Sequence, residues 1–328
     1  MFKHVVSGSI AVDHILVTDA LFGDHLMPEH LHRISLALTM DRFHESWGGT
    51  GANIAYALAQ MGERPLLIGA IGQDQDATLR ARWDTLGIDH AGVLTVAAKT
   101  AVATIFTDRG HNQITGFHPG ALMHSHQVDL QAQAHWRENP EIWTILAPES
   151  PTTMLKHART LQESGRPYLF DPGQTMSVLN RDEIQEAAEG ARGILVNDYE
   201  MAMLKQQTGL DEASWGRRLG QRDGALIVTQ GAQGCVVWST EGGQHVPVAI
   251  ADAVVDPTGC GDAFRAGLLY GLARRQTWSE AAQMGASMAA IQIAHEGAQT
   301  YTTSEAAVLE RKARSFTPQR PTARPRLA

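Results

Sequence analysis

The sequence predicts an α/β fold in which a mostly parallel β-sheet is covered by helices on both faces. Between residues 142 and 229, short apolar segments typical of strands alternate with longer segments of helical periodicity. Such alternation indicates a parallel sheet whose strands are connected by helices. The chain has 328 residues, of which 43% are hydrophobic, so it can bury a core of the required size.

The individual elements follow from apolar periodicity, from buried apolar runs and from glycines that suit the ends of helices. The alternating apolar positions at 34–40 predict a strand with one exposed face, and Asp108-Arg109-Gly110 predicts a hairpin between strands at 100–107 and 113–117. The other predicted strands are 5–10, 66–71, 142–147, 168–170, 193–196, 225–229 and 235–238, and the predicted helices are one that follows the glycines at 48–51 and ends before Gly62, and those at 77–86, 152–163, 182–188, 199–207, 260–274 and 279–294.

The composition excludes several classes of protein. A net charge of −8 gives no overall attraction for nucleic acid or for an anionic membrane. The two cysteines, Cys235 and Cys260, cannot form a disulfide framework, which favours a reducing cytoplasm. No apolar run approaches the roughly 18 residues of a membrane-spanning helix, and no signal-peptide pattern is present. The tail at 318–328 is rich in proline and arginine and is expected to be disordered, which leaves 1–317 as the folded domain.

The segment from Asp256 to Phe264 is the strongest candidate for chemistry, because glycines flank a turn that leads directly into a helix. The free N–H groups at such a helix start bind anions. Asp262 lies at this start, where a carboxylate can take a proton from a hydroxyl that attacks a bound phosphate. From these residues alone, an Asp262 that only caps the helix is an equally good interpretation.

Three further segments place glycines or polar groups at turns and helix starts. Around Gly49, adjacent glycines let a polyhydroxylated ligand approach the backbone, and Asn53 can hydrogen-bond to vicinal hydroxyls. Asn197 and Glu200 share a helical face and suit a hydrated Mg²⁺ ion, or they form a capping box. Residues 229–234 either bind a nucleotide phosphate or form a simple turn. Taken alone, the cap and the turn are the favoured interpretations.

In this order, the four segments resemble the signatures of the PfkB or ribokinase-like family of carbohydrate and nucleoside kinases. The resemblance extends from Ser7 to Gly297. It implies a Rossmann-like, mostly parallel sheet sandwiched by helices, and a small β-sheet lid formed mainly by residues 13–46 and 100–118. It also implies ATP as co-substrate, together with Mg²⁺.

Segments 27–32, 112–120 and 171–174 are most similar to bacterial adenosine kinases and broad-specificity nucleoside kinases. This similarity implies phosphorylation of the 5′-hydroxyl of a ribonucleoside, with adenosine first and inosine, guanosine and cytidine as further candidates. A sugar kinase acting on ribose, fructose or a related ketose is an alternative with the same fold and base. A sensor that binds without turnover is another, although such a protein would tend to lose Asp262 or the glycines.

The resemblance also implies a role for each motif residue. Asp262 is expected to be the general base, and Gly259, Cys260 and Gly261 are expected to form the anion hole. Relatives often pair through lid strands, so a homodimer formed by the 34–40 segment is expected. The remaining implied roles are substrate contacts at Ser9, Asp13, Gly49, Asn53, Phe117 and Gln174, ATP contacts at Asn197, Thr229, Gly231 and Gly234, a water-mediated Mg²⁺ site at Asn197 and Glu200, and a K⁺ site at Asp256 and Thr258.

Overall fold

The computed structural model describes residues 4–26, 33, 36–110 and 112–317. Segment 27–32, which contributes to the resemblance to nucleoside kinases, and the tail at 318–328 lie outside these residues. The strands are β1 (His4–Ser7), β2 (Ala11–Val17), β3 (Arg42–Gly48), β4 (Leu66–Gly72), β5 (Asp89–Val96), β6 (Ala101–Thr107), β7 (Gln113–His118), β8 (Trp143–Leu146), β9 (Tyr168–Phe170), β10 (Gly193–Asn197), β11 (Ala225–Thr229), β12 (Cys235–Ser239) and β13 (Gly242–Val246).

Within the described residues, the large sheet has nine strands in the order β13-β12-β11-β10-β9-β8-β1-β4-β5. Every neighbouring pair from β11 to β5 is parallel, whereas β12 and β13 add an antiparallel edge. Successive side chains of the inner strands point into two different cores. Val6 and Leu195 belong to one core, and Val5 and Ile194 belong to the other. The predicted fold class is therefore confirmed.

Helices cover both faces of the large sheet, as a parallel sheet requires. One core includes residues from α2, α3, α9, α10 and α11, and the opposite core includes residues from α5, α6, α7 and α8. None of the helices in the described part of the chain is long and apolar enough to span a membrane. The helices are α1 (Phe22–His25), α2 (Thr50–Gln60), α3 (Asp76–Leu86), α4 (Ala134–Glu138), α5 (Pro151–Ser164), α6 (Arg181–Glu189), α7 (Asp198–Thr208), α8 (Glu212–Gly220), α9 (Cys260–Ala273), α10 (Trp278–Gln292) and α11 (Glu305–Phe316).

A small sheet has the order β3-β2-β6-β7, and its β6–β7 hairpin confirms the prediction for residues 100–117. The strand predicted at 34–40 is wrong for residues 36–40, which have no regular structure. The register explains why, because β2 pairs with β3 from Ala11 opposite Gly48 to Val17 opposite Arg42. The place beside β2 is thus taken by residues 42–48 and not by the preceding residues, although the sequence of those residues alternates.

Candidate active site

The predicted helix start forms at the amino terminus of α9. Gly259 is its N-cap with φ of +82°, and a Cβ built there would lie 2.5 Å from the Cβ of Ala298, so only glycine suits this position. The N–H of Cys260 donates to the carbonyl of Pro257 at 3.1 Å. The N–H groups of Gly259 and Gly261 have no acceptor among the described residues, so these two can bind an anion. The N–H of Cys260, the third predicted anion-hole residue, is thus already hydrogen-bonded within the turn.

Asp262 lies in the first turn of α9 and contacts the predicted sugar-binding residue. Asn53 Nδ2 donates to Asp262 Oδ2 at 2.8 Å, and Gln299 Nε2 donates to Asn53 Oδ1 at 2.8 Å. The pKa of Asp262 is raised to about 6, because burial, together with the nearby Asp171 and Asp13 carboxylates, outweighs the lowering effects of Arg265 and of the Asn53 hydrogen bond. A carboxylate with a pKa near neutrality is suited to act as a general base.

Asp262 faces a second carboxylate and a buried ion pair. Asp171 directly follows β9, and its side chain is fully buried. Arg265 donates to both of its oxygens, from Nη2 to Oδ1 at 2.8 Å and from Nε to Oδ2. Because Arg265 follows Asp262 by three residues, the two side chains share one face of α9. This arrangement fixes a guanidinium beside the candidate base.

The predicted substrate residues of the amino-terminal part lie at the junction of β1, β2 and α2. Ser9 accepts a hydrogen bond from the N–H of Thr50 at 3.0 Å, so it fixes the start of α2. Asp13 packs over Gly48, where a Cβ would come within 2.2 Å of its Oδ2. Burial raises the pKa of Asp13 to about 6. Gly49, at φ of +87°, caps α2 and keeps the backbone close to the carbonyl of Ser9.

Phe117 and Gln174 are both exposed to solvent. Phe117 lies on β7 and is 50% exposed. Its register partner is Ala103, which also pairs with Asp13, so Phe117 and Asp13 lie in one row and on one face of the small sheet. Gln174 belongs to the short 3₁₀ turn that follows Asp171. The structure therefore brings Phe117 and Asp13 onto a common face and puts Gln174 next to the ion pair along the chain.

The predicted ATP residues occupy the carboxyl ends of neighbouring strands. Asn197 and Thr229 are register partners at the ends of β10 and β11. Gly231 and Gly234 form the turn into β12, both with positive φ, and a Cβ at Gly234 would lie 2.2 Å from the carbonyl oxygen of Val246. Ligands often bind at this edge of parallel sheets, and the ATP contacts of these four residues stay a prediction.

Asn197 and Glu200 form a capping box, the simpler of their two predicted interpretations. Asn197 Oδ1 accepts from the N–H of Glu200, and Glu200 Oε2 accepts from the N–H of Asn197, both at 2.8 Å. No group of three or more His, Cys, Asp or Glu side chains among the described residues could hold a metal directly. The residues fit a hydrated Mg²⁺ ion held by phosphate oxygens, with Glu200 binding through water, so the metal site stays a prediction.

Asp256 has a structural role in the turn before α9. Its Oδ1 accepts from the N–H of Thr258 at 2.9 Å, and its Oδ2 accepts from the N–H of Gly297 at 2.8 Å. The carboxylate thus ties this turn to the segment after α10. The K⁺ site at Asp256 and Thr258 stays a prediction.

Three polar residues at this edge were not selected from the sequence. Arg265 could have been found from its helical spacing to Asp262. Glu149 lies three residues after the end of β8, is buried, and has its pKa raised to about 8 by burial. An acidic residue shortly after a buried strand is its only signal in the sequence. Gln299, which hydrogen-bonds to Asn53, carries no local signal because the contact joins residues far apart in sequence.

The fold and this site define a kinase family. A family model described as pfkB family carbohydrate kinase matches residues 1–305, so the chain belongs to that family. The ribokinase-like architecture agrees with this membership, since the chain superposes on solved kinases of that fold.

Among individual proteins, the chain is similar to nucleoside kinases and to a ribokinase. The structure of Burkholderia thailandensis nucleoside kinase in complex with inosine has a TM-score of 0.84 and 34% identity, covering 95% of this chain and 98% of that one. The same enzyme in complex with ADP-inosine has a TM-score of 0.81 and 33% identity, covering 98% and 100%. The nucleoside kinase of Methanocaldococcus jannaschii is 28% identical over 313 residues, 95% of this chain and 97% of that protein. A ribokinase from Lactococcus lactis subsp. lactis is 29% identical over 308 residues, 91% and 93%.

Proposed function

We propose that this protein transfers the γ-phosphoryl group of ATP to the 5′-hydroxyl of a ribonucleoside. The observation that carries the proposal is the contact between Asn53 and Asp262 at 2.8 Å, beside the free N–H groups of Gly259 and Gly261. A hydroxyl-binding amide, a carboxylate with a pKa of about 6 and an anion-binding helix start thus meet in one place. Similarity to a nucleoside kinase that binds inosine supports the nucleoside as acceptor.

The nucleoside is held between the small sheet and the start of α2. Asp13 and Asn53 accept and donate hydrogen bonds to the ribose hydroxyls. Phe117, on the same face of the small sheet as Asp13, offers an exposed ring on which a base can stack, and Gln174 offers an amide for the edge of the base. The lid formed by residues 13–46 and 100–118 closes over the ligand and excludes water, which would otherwise accept the phosphoryl group.

In the transfer step, Asp262 accepts the proton of the 5′-hydroxyl. The bond from the 5′-oxygen to the γ-phosphorus forms, and the bond from that phosphorus to the bridging oxygen breaks with its electron pair leaving on ADP. The N–H groups of Gly259 and Gly261 stabilise the charge on the transferred oxygens. Thr229, Gly231 and Gly234 hold ATP. Asn197 and Glu200 would hold a hydrated Mg²⁺ ion with ATP, and that ion would neutralise part of the phosphate charge. The products are the nucleoside 5′-monophosphate and ADP.

A panel of acceptors tests this function. Purified protein with Mg²⁺–ATP is given ribonucleosides, deoxyribonucleosides, ribose or fructose, and ADP release is measured. We expect release with ribonucleosides, with adenosine first and inosine, guanosine and cytidine following. The sugar-kinase alternative, which the similarity to a ribokinase favours, predicts release with free sugars alone. If none of the acceptors causes ADP release, although the protein binds nucleosides, the sensor alternative is favoured.

We also propose that two copies of the chain associate through the outer face of the small sheet. Phe43, Leu16, Phe106 and Ile114 are register partners and form one apolar row across all four strands. Leu16 and Asp13 point to opposite faces of β2, so this row faces away from the substrate side. Phe43 is 62% exposed and Ile114 is 51% exposed. Light scattering should give a dimer for the wild type and a monomer for Phe43→Ser; a wild-type monomer would contradict this proposal.

A further inference from the structure

Arg265 uses only part of its guanidinium in the ion pair with Asp171. Nε and Nη2 donate to the two carboxylate oxygens of Asp171, and the side chain of Arg265 is only 13% exposed. The remaining nitrogen, Nη1, has no hydrogen-bond acceptor among the described residues. Because the pair holds the planar group by two donors, the direction of Nη1 is fixed before any ligand arrives.

Nη1 lies along the first turn of α9. A Cβ built on Gly261 would come within 2.7 Å of it, so the missing side chain of Gly261 is what leaves room for the guanidinium. The N–H of Gly261 is one of the two free donors at this helix start. Arg265 Nη1 and the free N–H groups of Gly259 and Gly261 therefore lie together at the first turn of α9, next to Asp262.

The charges around Arg265 indicate a ligand with negative charge. Asp171, Asp262 and Glu200 each raise the pKa of Arg265, so it remains a cation although it is buried. Within the part of the chain that the structure describes, only Asp171 accepts hydrogen bonds from Arg265. A buried ion pair is a poor way to join a helix to a sheet, since a well-packed apolar pair does so as well or better. The buried ion pair is explained if Nη1, the nitrogen that does not bind Asp171, binds an anionic ligand.

We propose that Arg265 contacts the transferring γ-phosphoryl group through Nη1, with Asp171 holding the guanidinium and Gly261 providing the space. This inference rests on the proposed kinase function. As the acceptor oxygen bonds to phosphorus and ADP departs with the electrons of the broken bond, Nη1 donates to a peripheral oxygen of the group in transit. No atom is transferred to or from Arg265. A cation in this position stabilises phosphoryl transfer because charge on those oxygens is met without reorganisation.

Turnover and binding of Arg265→Gln test the contact. We expect kcat to fall by roughly 10²-fold or more, the size typical of losing one preorganised donor. Binding measurements should show whether Arg265 contacts the γ-phosphate or another part of the nucleotide. The Kd of a non-hydrolysable ATP analogue should rise about tenfold, as for loss of a charged hydrogen bond, while the Kd of ADP changes less than about twofold.

A second variant removes the risk that the unpaired Asp171 unfolds the protein. Asp171→Asn/Arg265→Gln removes both charges of the ion pair, while Asp262 keeps its hydrogen bond from Asn53. This double variant should show the same selective loss for the ATP analogue. Asp171→Asn alone keeps the cation and should retain at least about a tenth of wild-type kcat, because an amide oxygen still accepts from it. Equal losses for the ATP analogue and ADP, kcat within about threefold of wild type in the double variant, or an equally large kcat loss in Asp171→Asn would overturn the contact.

The binding data also separate this inference from the kinase proposal. If the wild type phosphorylates no acceptor, the proposed function fails, but the selective effect of Arg265→Gln on the ATP analogue still decides whether Nη1 meets the γ-phosphate. If the wild type is an active kinase and that selectivity is missing, only the role of Arg265 fails.

Discussion

Asn53 Nδ2 lies 2.8 Å from Oδ2 of Asp262, so the predicted sugar-binding residue touches the predicted base directly. The two residues are far apart in sequence and lie in the first turns of α2 and α9. A hydroxyl bound by Asn53 is thereby held within reach of Asp262. Because this hydrogen bond also lowers the pKa of Asp262, we expect a substitution at Asn53 to affect proton transfer as well as recognition.

Replacing the base should remove turnover while keeping the ligand site. In Asp262→Asn, an amide oxygen can still accept from Asn53, but the side chain no longer takes a proton. We expect kcat to fall by about 10²–10⁴-fold, the usual contribution of a general base, with the Kd of the nucleoside nearly unchanged. Calorimetric titration and ADP release measure the two quantities.

The thermal midpoint controls for folding in Asp262→Asn. Burial raises the pKa of Asp262 above its unfolded value, so its charged form opposes folding at pH values above about 6. The neutral variant should then be at least as stable as the wild type at pH 8. A variant that keeps a tenth of wild-type kcat would exclude Asp262 as the base.

Asn53→Ala should mainly weaken acceptor binding. The substitution removes a donor and an acceptor for the ribose hydroxyls, so the KM of the nucleoside should rise by about 10–100-fold. Gln299→Leu is the matched second variant, because it leaves Asn53 in place but removes the hydrogen bond that orients it. Its KM should rise less. A KM for Asn53→Ala within twofold of wild type would remove Asn53 from the ribose site.

The pH dependence of kcat should report the coupled carboxyls Asp262 and Asp13. Asp262 must be deprotonated to act as base, and its pKa is about 6, so kcat should fall as pH drops through about 6. The negative charge of Asp13 raises the pKa of Asp262. Asp13→Asn should therefore move the acidic midpoint to lower pH when kcat is measured at saturating nucleoside. A midpoint that stays in place, or moves upward, would contradict this coupling.

Two glycine substitutions distinguish the energetic cost of a strained backbone from the cost of a steric clash with a neighbouring residue. Gly259→Ala and Gly62→Ala both force alanine into positive φ, +82° and +79° respectively, but only at Gly259 does the new Cβ meet a neighbour, Ala298 at 2.5 Å. Gly62→Ala should cost about 1–2 kcal/mol of unfolding free energy. Gly259→Ala should cost more and should also reduce kcat, because it displaces the free N–H groups. Denaturant titration measures both costs; equal costs would mean that the contact with Ala298 relaxes freely.

Local signals predicted the elements that carry the site, whereas contacts between distant segments could not be predicted. The glycines around Gly259 and the position of Asp262 are visible in one short stretch, and so is the spacing of Asn197 and Glu200. The pairing of Arg265 with Asp171 and the contact of Asn53 with Asp262 depend on how α9 packs against other elements. No pattern of residue types within one segment determines such packing.

The helix α8 forms although its glycines have a low helix propensity. No helix was predicted in this segment, whose helix propensity is lowered by Gly216 and Gly220. In the structure, a Cβ at Gly216 would lie 2.9 Å from the Cβ of Trp238 on β12. The glycine that weakens the isolated helix is the one that lets it approach the sheet closely. The strands β2, β3, β5 and β13 and the helices α1, α4 and α11 were not predicted either.

The hydrogen bond from Gln299 to Asn53 links the site to a segment that leaves the ribosome late. A nascent chain that has already formed α2 still lacks both Asp262 and the amide that orients Asn53. Early in synthesis, the nucleoside site therefore lacks its candidate base and the amide that orients Asn53. The complete site, with its candidate base and its oriented amide, forms only after the residues up to Gln299 have been made.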